Sequence, residues 1–397
     1  MIPRFDVQYG CKDLWLGMAG PRAVPLKTAS AGFLPGFPEQ SQLAFPTRRG
    51  REALYLILKC LGLTPGAHVG VPLYACSVVA KTVVAAGMKP VFLDADPETC
   101  GVSLTDLERK AKRLDCLILI HLFGYPADFD QVVRVMEGKP VIEDCAHAIG
   151  STYHGRPLGS LGDISFFSFG FFKPLAIGGG GLIVTRGLEL ASKLELELRA
   201  TPGETTSQVL AHSARSFLYA SLFSRPIYSL KTYLRKGSKQ QNGDGSKGTA
   251  AHGIISSQRR MSRSDWNVLA SRLRAWRPSE QVAAFWQQVR DAAPSDWSIP
   301  QEPVFGEWNH FLLPVRTATP ASCTAAISRL RSRGVGAARV YQNCVLETAG
   351  AGYSGGCPEA ERVAQTLFTL PSYHTLSPDD GTLILSSIAS FASGAVS

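Results

Sequence analysis

The chain has 397 residues, of which 45% are hydrophobic and 18% charged. This balance excludes an intrinsically disordered protein, and the length allows two domains with a sizeable core. The formal net charge of +9 is compatible with nucleic acid, a membrane surface or an anionic substrate. Because no zinc-type Cys/His pairing and no RNA-binding signature accompanies the charge, we expect no nucleic-acid partner.

The cysteines and the N-terminus indicate the compartment. Nine cysteines are odd in number and lie mostly in apolar runs, which is typical of reduced, buried thiols rather than of a disulfide framework. The first residues contain no apolar signal core, and no apolar run is long enough to span a bilayer. We therefore expect a cytoplasmic protein.

Residues 1–44 are rich in proline and glycine and have no firm periodicity. This composition predicts an N-terminal arm that packs on a neighbouring subunit or domain.

The next segment predicts a helix that begins near Gly50 and ends at Gly62. A glycine at a helix start lets backbone N–H groups approach a phosphate, and the helix dipole favours the anion. Arg51, in the same turn, adds a charge that suits a phosphate. The alternative is an ordinary N-terminal glycine followed by solvated arginines.

Short apolar strands then alternate with helices, which indicates a parallel α/β sheet. Tyr74 and Cys76 follow the first of these strands, and His121 lies in the last and is interpreted as structural rather than catalytic. The predicted strands are 69–72, 90–94 and 117–124, with a helix at 76–86.

Two apolar runs in the centre of the chain end in residues that carry chemistry. Residues 140–142 lead into Glu143 and Asp144, and residues 164–169 are followed by Lys173 and four glycines. A buried strand that ends in an acid presents it at the carboxyl edge of a parallel sheet, where ligands bind. Desolvation on an aromatic-walled turn is expected to lower the pKa of the lysine and make its amine a nucleophile.

An acid and a lysine in this order are what a pyridoxal phosphate enzyme requires. The lysine forms the Schiff base and the carboxylate holds the proton of the pyridine ring. Taken singly, Lys173 could be a surface lysine, Asp144 a helix cap and the glycines a flexible turn. Their order and spacing favour the cofactor site.

The motifs EDCAHAIG (143–150) and LGSLGDISFFSF (158–169), with Lys173 and the glycine run, resemble those of the DegT-type nucleotide-sugar aminotransferases. The resemblance covers roughly residues 45–200 and 258–390. It implies the α/β fold-type I PLP-transferase architecture, a large domain with a mostly parallel central sheet flanked by helices and a smaller C-terminal α/β domain.

The resemblance also implies a division of the chain. It predicts an arm at 1–44, a large PLP-binding domain at 45–265 with an insertion at about 204–257, and a small domain at 266–397. Within the last, we expect a long helix from Trp266, a strand within 308–315 and a late helix at 363–370.

Site residues follow from the same resemblance. Lys173 would be the Schiff-base lysine, Asp144 would pair with the pyridine nitrogen, and His147 would lie against the cofactor face. The phosphate would be held by Ser168 and the turn of Gly50 and Arg51, where Arg51 replaces a small hydroxyl residue. Tyr74, Cys76 or His147 would stack on the ring. Gln258 stands in place of an asparagine that reaches the partner subunit's phosphate. His310 and Tyr341 are expected either at the edge of the site or in structural roles.

The function implied is a PLP-dependent aminotransferase that moves an amino group, from glutamate, to a nucleotide-linked keto-sugar in polysaccharide or glycoconjugate biosynthesis. The resemblance also implies a homodimer, and we expect no metal site. One alternative is a PLP-dependent sugar dehydratase, in which histidine replaces the lysine.

A second alternative is a catalytically weak or inactive relative that acts as a membrane-associated assembly or regulatory protein. The departures at Arg51, Cys76 and Gln258 leave it open, as does the aromatic, basic segment 213–236, which suits peripheral membrane contact. That segment could equally be an insertion helix buried in a dimer or against the core.

Overall fold

A computed structural model describes residues 1–5, 9–19, 24–30, 33–37, 42–223, 227, 259–277, 280–373 and 375–392. Its strands are β1 (Thr28–Ala29), β2 (Leu43–Thr47), β3 (His68–Pro72), β4 (Lys89–Leu93), β5 (Cys116–Ile120), β6 (Val141–Asp144), β7 (Thr152–Tyr153), β8 (Arg156–Pro157), β9 (Ile164–Ser168), β10 (Gly181–Thr185), β11 (Trp297–Ser298), β12 (Leu313–Thr317) and β13 (Leu367–Leu370).

The α-helices of the described residues are α1 (Cys11–Ala19), α2 (Gly50–Cys60), α3 (Val78–Ala85), α4 (Leu104–Lys110), α5 (Phe129–Met136), α6 (Leu188–Ala200), α7 (Thr206–Phe223), α8 (Arg263–Ala275), α9 (Glu280–Ala292), α10 (Pro320–Ser332), α11 (Cys344–Ala349), α12 (Pro358–Thr366) and α13 (Pro378–Ala392).

The large sheet has eight strands in the order β1-β2-β10-β9-β6-β5-β3-β4. Strands β4, β3, β5, β6 and β9 are parallel to one another, whereas β10 is antiparallel to β9 and β2 is antiparallel to β10. Strand β5 is buried along its whole length, as expected for a central parallel strand covered on both faces. The predicted α/β fold with a mostly parallel central sheet is confirmed.

A second, antiparallel sheet of β11, β12 and β13 lies in the C-terminal third. The prediction of a helix at 363–370 is wrong beyond Thr366, because Leu367–Leu370 forms strand β13 and pairs with β12. The strand expected within 308–315 begins only at Leu313 and continues to Thr317. The division into domains stays a prediction; its proposed boundary at 265/266 falls inside α8.

The N-terminal segment contains a helix, α1, that its composition did not predict. Helix α1 packs on α8, and the Asp13 carboxylate pairs with the Arg272 guanidinium at 2.8 Å. Ile2 forms a bridge to Val335. A short helix without strong periodicity gains its stability from such tertiary packing, which local sequence does not reveal.

Helix α7 forms the first part of the predicted insertion. Its Ser213 and Ser216 are buried, so this part packs on the fold; beyond residue 223 the segment 213–236 lies, except for residue 227, outside the described residues. Across the described part of the chain, no helix combines the length and apolar character needed to cross a membrane. All nine cysteines are free, and seven of them are buried, as their sequence context predicted.

Candidate active site

The two acids at the end of β6 have different environments. The carboxylate of Glu143 accepts three backbone N–H groups of the turn 159–162, at 2.8 to 3.0 Å. Asp144 Oδ1 accepts the N–H of Ala146 at 2.9 Å. Burial raises the pKa of Asp144, while the nearby Lys173 acts to lower it. Glu143 therefore fixes a loop, and Asp144 is the acid that a ligand could use.

The Lys173 amine lies 3.1 Å from Nε2 of His147. His147 Nδ1 accepts the backbone N–H of Phe123 at 3.1 Å, and burial, with Lys173 adding to it, lowers the pKa of His147 well below its usual range. A neutral imidazole whose Nδ1 is an acceptor carries its proton on Nε2. Nε2–H is therefore the donor on the side of the ring that faces the Lys173 amine.

Tyr341 completes this cluster, as its hydroxyl lies 3.3 Å from the same Nε2 atom of His147. The two rings are nearly parallel, 8° apart. Tyr341 was expected at the edge of the site or in a structural role, and its hydroxyl contacts His147 directly. His310, by contrast, pairs through Nε2 with Glu302 at 2.9 Å.

A second group of residues meets where α2 begins. A Cβ atom built on Gly50 would lie only 2.6 Å from Cβ of Ser168, so glycine is what allows the helix start to approach the end of β9. Arg49, at the N-cap, provides no side-chain cap, and Arg51 is half-buried in the first turn. A hydroxyl facing a helix N-terminus suits a phosphate.

The residues expected to stack on the cofactor ring lie in different environments. Tyr74 is buried; its hydroxyl donates to the Val340 carbonyl at 3.0 Å, and its ring meets Tyr341 edge-on. Cys76 is half-buried, and Gln258 lies outside the described residues. The choice among Tyr74, Cys76 and His147 as the stacking partner therefore stays a prediction.

Asn309 is a site residue that the sequence reading missed. Its Nδ2 donates to the His147 carbonyl at 2.7 Å and to the Ile149 carbonyl at 2.9 Å, and its Oδ1 accepts the Phe311 N–H. These bonds hold the turn that carries His147. The only sequence signal is a polar residue between Trp308 and a histidine in an otherwise apolar segment.

His121 is held by structural contacts, as its place in a buried strand suggested. Its Nδ1 accepts the Ala127 N–H at 3.2 Å, and its Nε2 lies 3.4 Å from Glu143.

A buried charge network supports the glycine turn after Lys173. The Arg48 guanidinium pairs with Asp265 at 2.9 Å and with Glu204 at 2.7 Å, and Asp265 also contacts His212 of α7 at 3.0 Å. The Arg48 carbonyl accepts the Gly180 N–H at 2.8 Å. The network thus connects α7 and α8 to the turn that follows the lysine.

Lys173 also borders a cavity of about 680 Å³. The N-terminal segment, the lysine turn, the end of α8 and residues 309–312 form most of its walls.

Comparison with known proteins finds a family similar to the part of the chain that carries the site. The sequence profile described as the DegT/DnrJ/EryC1/StrS aminotransferase family matches residues 26–215, the part of the chain that carries Gly50, Asp144, His147 and Lys173. This part of the chain is similar to that family, in agreement with the predicted resemblance.

Relatives with curated names are similar to the same part of the chain. GDP-perosamine synthase from Escherichia coli is 38% identical over 154 residues, which is 38% of this chain and 42% of that protein. UDP-N-acetyl-3-dehydro-alpha-D-glucosamine 3-aminotransferase from Acidithiobacillus ferrooxidans is 40% identical over 149 residues, 36% of this chain and 40% of that protein. The chain thus matches less than half the length of these two relatives.

Solved structures of the DegT-type fold match more of the chain. DesV from S. venezuelae, determined in complex with a ketimine intermediate, superposes with a TM-score of 0.67 at 25% identity and covers 89% of this chain and 86% of that one. The fold of that structure therefore extends over most of this chain.

Proposed function

We propose that this protein is a PLP-dependent aminotransferase that transfers an amino group, from glutamate, to a nucleotide-linked keto-sugar. The observation that carries the proposal is the 3.1 Å contact between Lys173 Nζ and His147 Nε2, beside the buried Asp144, in a part of the chain that is similar to an aminotransferase family. The names of the relatives, both of nucleotide-sugar enzymes, support the substrate class.

The residues present fit pyridoxal 5′-phosphate. The cofactor offers an aldehyde, a ring nitrogen and a phosphate, and the site offers an amine, a carboxylate and a helix start. Lys173 would attach the aldehyde carbon, Asp144 would face the ring nitrogen, and Gly50, Arg51 and Ser168 would hold the phosphate. A Cβ at Gly50 would occupy this last cradle. His147, and Tyr74 or Cys76, are the proposed contacts of the ring, and Gln258 the proposed contact across a dimer.

Pyridoxal phosphate, when bound, supplies an electron sink for bonds at the carbon that carries the amino group. The chain's own residues then move the protons. Lys173 Nζ takes the proton from the α-carbon of the amino donor and returns one later in the cycle. The Asp144 carboxylate would hold the proton at the ring nitrogen, and the Nε2 atom of His147, 3.1 Å from Nζ, would help to orient the Lys173 side chain.

The competing functions find less support. A sugar dehydratase of this type would carry histidine at position 173, where this chain has lysine. A weak, membrane-associated relative would use segment 213–236, but the side chains of Ser213 and Ser216 in its described part face the fold. Membrane contact through the rest of that segment stays a prediction.

The test is to locate the cofactor. We expect borohydride reduction of the protein loaded with pyridoxal phosphate to leave a pyridoxyl adduct on Lys173, detected by mass spectrometry of its peptide. Lys173→Ala should lose the adduct and about 10²- to 10⁴-fold of the transfer rate from glutamate to nucleotide-linked keto-sugars. Lys112→Ala, at an exposed lysine, is the control and should retain both. An adduct on another lysine, or none, contradicts the proposal.

A further inference from the structure

Residues 1–5, here called the strap, lie along residues 334–341, here called the anchor segment. The Ile2 N–H donates to the Gly334 carbonyl at 2.7 Å. A Cβ atom built on Gly336 would lie only 2.4 Å from the Ile2 carbonyl oxygen, so glycine is what allows the two backbones to approach. The first part of the strap is therefore fixed to the C-terminal third of the chain.

The other end of the strap contacts the turn that carries Lys173. Phe5 is buried, and its ring centroid lies 4.7 Å from that of Phe172, the residue before the lysine. The Arg4 guanidinium lies 4.5 Å from the centroid of the Phe5 ring and donates to the Arg339 carbonyl of the anchor segment at 3.4 Å. Such a cation beside an aromatic ring is attracted to it. The anchor segment thus holds the ring that packs next to Lys173.

The anchor segment also contacts the partner of the lysine amine. Its last residue, Tyr341, places its hydroxyl 3.3 Å from Nε2 of His147, and the same atom lies 3.1 Å from Lys173 Nζ. The segment is joined to β13 because Ala338 and Thr369 exchange two backbone hydrogen bonds. One segment therefore contacts the histidine directly and the neighbour of the lysine through the strap.

We propose that the anchor segment sets the relative position of Lys173 and His147, and that Phe5 is a positioning residue that acts on the lysine through Phe172. Aromatic pairs have preferred geometries, so the Phe5 ring restricts the Phe172 ring and the backbone beside it. Displacement of the anchor segment then changes the surroundings of an amine that it does not touch. The link to transamination rests on the proposed function, whereas the positioning itself requires no cofactor.

The test measures the lysine amine in the cofactor-free protein. Trace acetic anhydride labels lysines in proportion to their reactivity, and mass spectrometry gives the labelling of Lys173 relative to the exposed Lys112. In Phe5→Ala this ratio should rise about two- to tenfold, because loss of one aromatic pair lets the turn open more often by that factor. Phe391→Ala is the matched control, since that ring also lies beside a guanidinium, that of Arg329 at 4.6 Å, but belongs to α13. It should leave the ratio unchanged.

A variant in the anchor segment tests the same route from the opposite end. The new Cβ of Gly336→Ala would meet the Ile2 carbonyl oxygen and displace the strap, so the labelling ratio should rise here too. Gly350→Ala is the matched control, because a Cβ at Gly350 meets no atom within 4 Å. The double variant of Phe5 and Gly336 should show less than the product of the two single effects, as expected for residues that act through one contact.

An ordinary core residue at position 5 would stabilise the fold without altering the amine. A wild-type labelling ratio in folded Phe5→Ala or in folded Gly336→Ala therefore overturns the proposal. If Phe5→Ala does not fold, Phe5→Leu, which keeps a large apolar side chain without a ring, takes its place. A ratio that responds to Phe5 in a protein that forms no pyridoxyl adduct on Lys173 would overturn the proposed chemistry and leave the positioning role standing. An adduct on a lysine whose labelling ignores Phe5 would do the reverse.

Discussion

The carboxyl group of Glu52, in the first turn of α2, lies in an environment that disfavours its ionised form. Only 2% of the residue is exposed, and its Oε1 finds no hydrogen-bond partner within the described structure. Burial raises its pKa to about 7, although three guanidinium groups and the Arg259 N–H act in the opposite direction. The arginines are Arg48, Arg49 and Arg51.

This environment predicts a pH-dependent loss of stability. In the folded state the carboxyl keeps its proton up to a pKa of about 7, whereas the ordinary value is 4.5, so the unfolded chain releases that proton first. The contribution to stability is fully present below pH 4.5 and is lost as the pH rises through 7. Glu52→Gln cannot ionise and should escape this loss, which corresponds to about 3 kcal/mol.

The measurement is urea unfolding of the two cofactor-free proteins at several pH values. The difference in free energy of unfolding, variant minus wild type, should grow between pH 4.5 and pH 7.5. Glu137→Gln, at an exposed glutamate, should show no such growth. A difference between Glu52→Gln and wild type that is independent of pH would refute the buried titration.

Single residues also show how far the sequence could define the site. The proximity of Asp144, His147 and Lys173 was predictable, because all three lie within 30 residues of chain. Two buried strands of a parallel sheet end in this stretch, and such strand ends meet at one edge of the sheet. Asn309 was not predictable, because its bond to the His147 carbonyl joins residues 162 positions apart. No local pattern encodes that approach.

At the level of elements, α7 is the support of the lysine turn. The Tyr219 ring lies 4.4 Å from that of Phe171 and 6.1 Å from that of Phe172, the two residues before Lys173. One turn earlier, a Cβ built on Gly178 would lie 2.5 Å from Ser216 Oγ. Helix α7 therefore contacts the segments on both sides of the lysine.

Removal of the Tyr219 ring should loosen this turn. Aromatic pairs contribute about 0.5–1.5 kcal/mol each beyond their buried area, so Tyr219→Ala should weaken pyridoxal phosphate binding about tenfold. The affinity is measured from the absorbance of the bound cofactor in a titration. Tyr219→Phe, which keeps the ring, should restore most of the affinity.

Leu218→Ala is the matched control on the same helix, because Leu218 is 61% exposed and makes no such contact with the lysine turn. It should bind the cofactor as the wild type does. Equal losses in Tyr219→Ala and Leu218→Ala would mean that α7 stabilises the fold generally and does not position the lysine.

Elements were predictable where local pattern and tertiary environment agree. Strand β5 is a continuous apolar run and is buried on both faces, so its sequence sufficed. Residues 367–370 continue the apolar pattern of α12, yet they pair with β12. Helix α1 was missed for a related reason, since α8 and the ion pair of Asp13 with Arg272 hold it. Pairing partners distant in sequence decided both cases.

At the scale of the whole molecule, the proposed homodimer determines whether one chain contains a complete site. The residue expected to reach the cofactor phosphate across the subunit boundary, Gln258, lies outside the described residues. If the protein is a homodimer, light scattering should give twice the mass of the 42.7 kDa chain. A monomer that still transfers amino groups would contradict the shared site.

Mixing two defective variants tests the sharing directly. Lys173→Ala lacks the amine, and Gln258→Ala lacks the contact that one chain would give to the other. In a dimer of one chain of each kind, one site has both defects and the other has neither, because a two-fold axis exchanges the contributions. Random reassortment of an equal mixture should thus restore about a quarter of the wild-type activity. If each site belonged to a single chain, no dimer would hold an intact site, and mixing would add nothing to the rates of the separate variants.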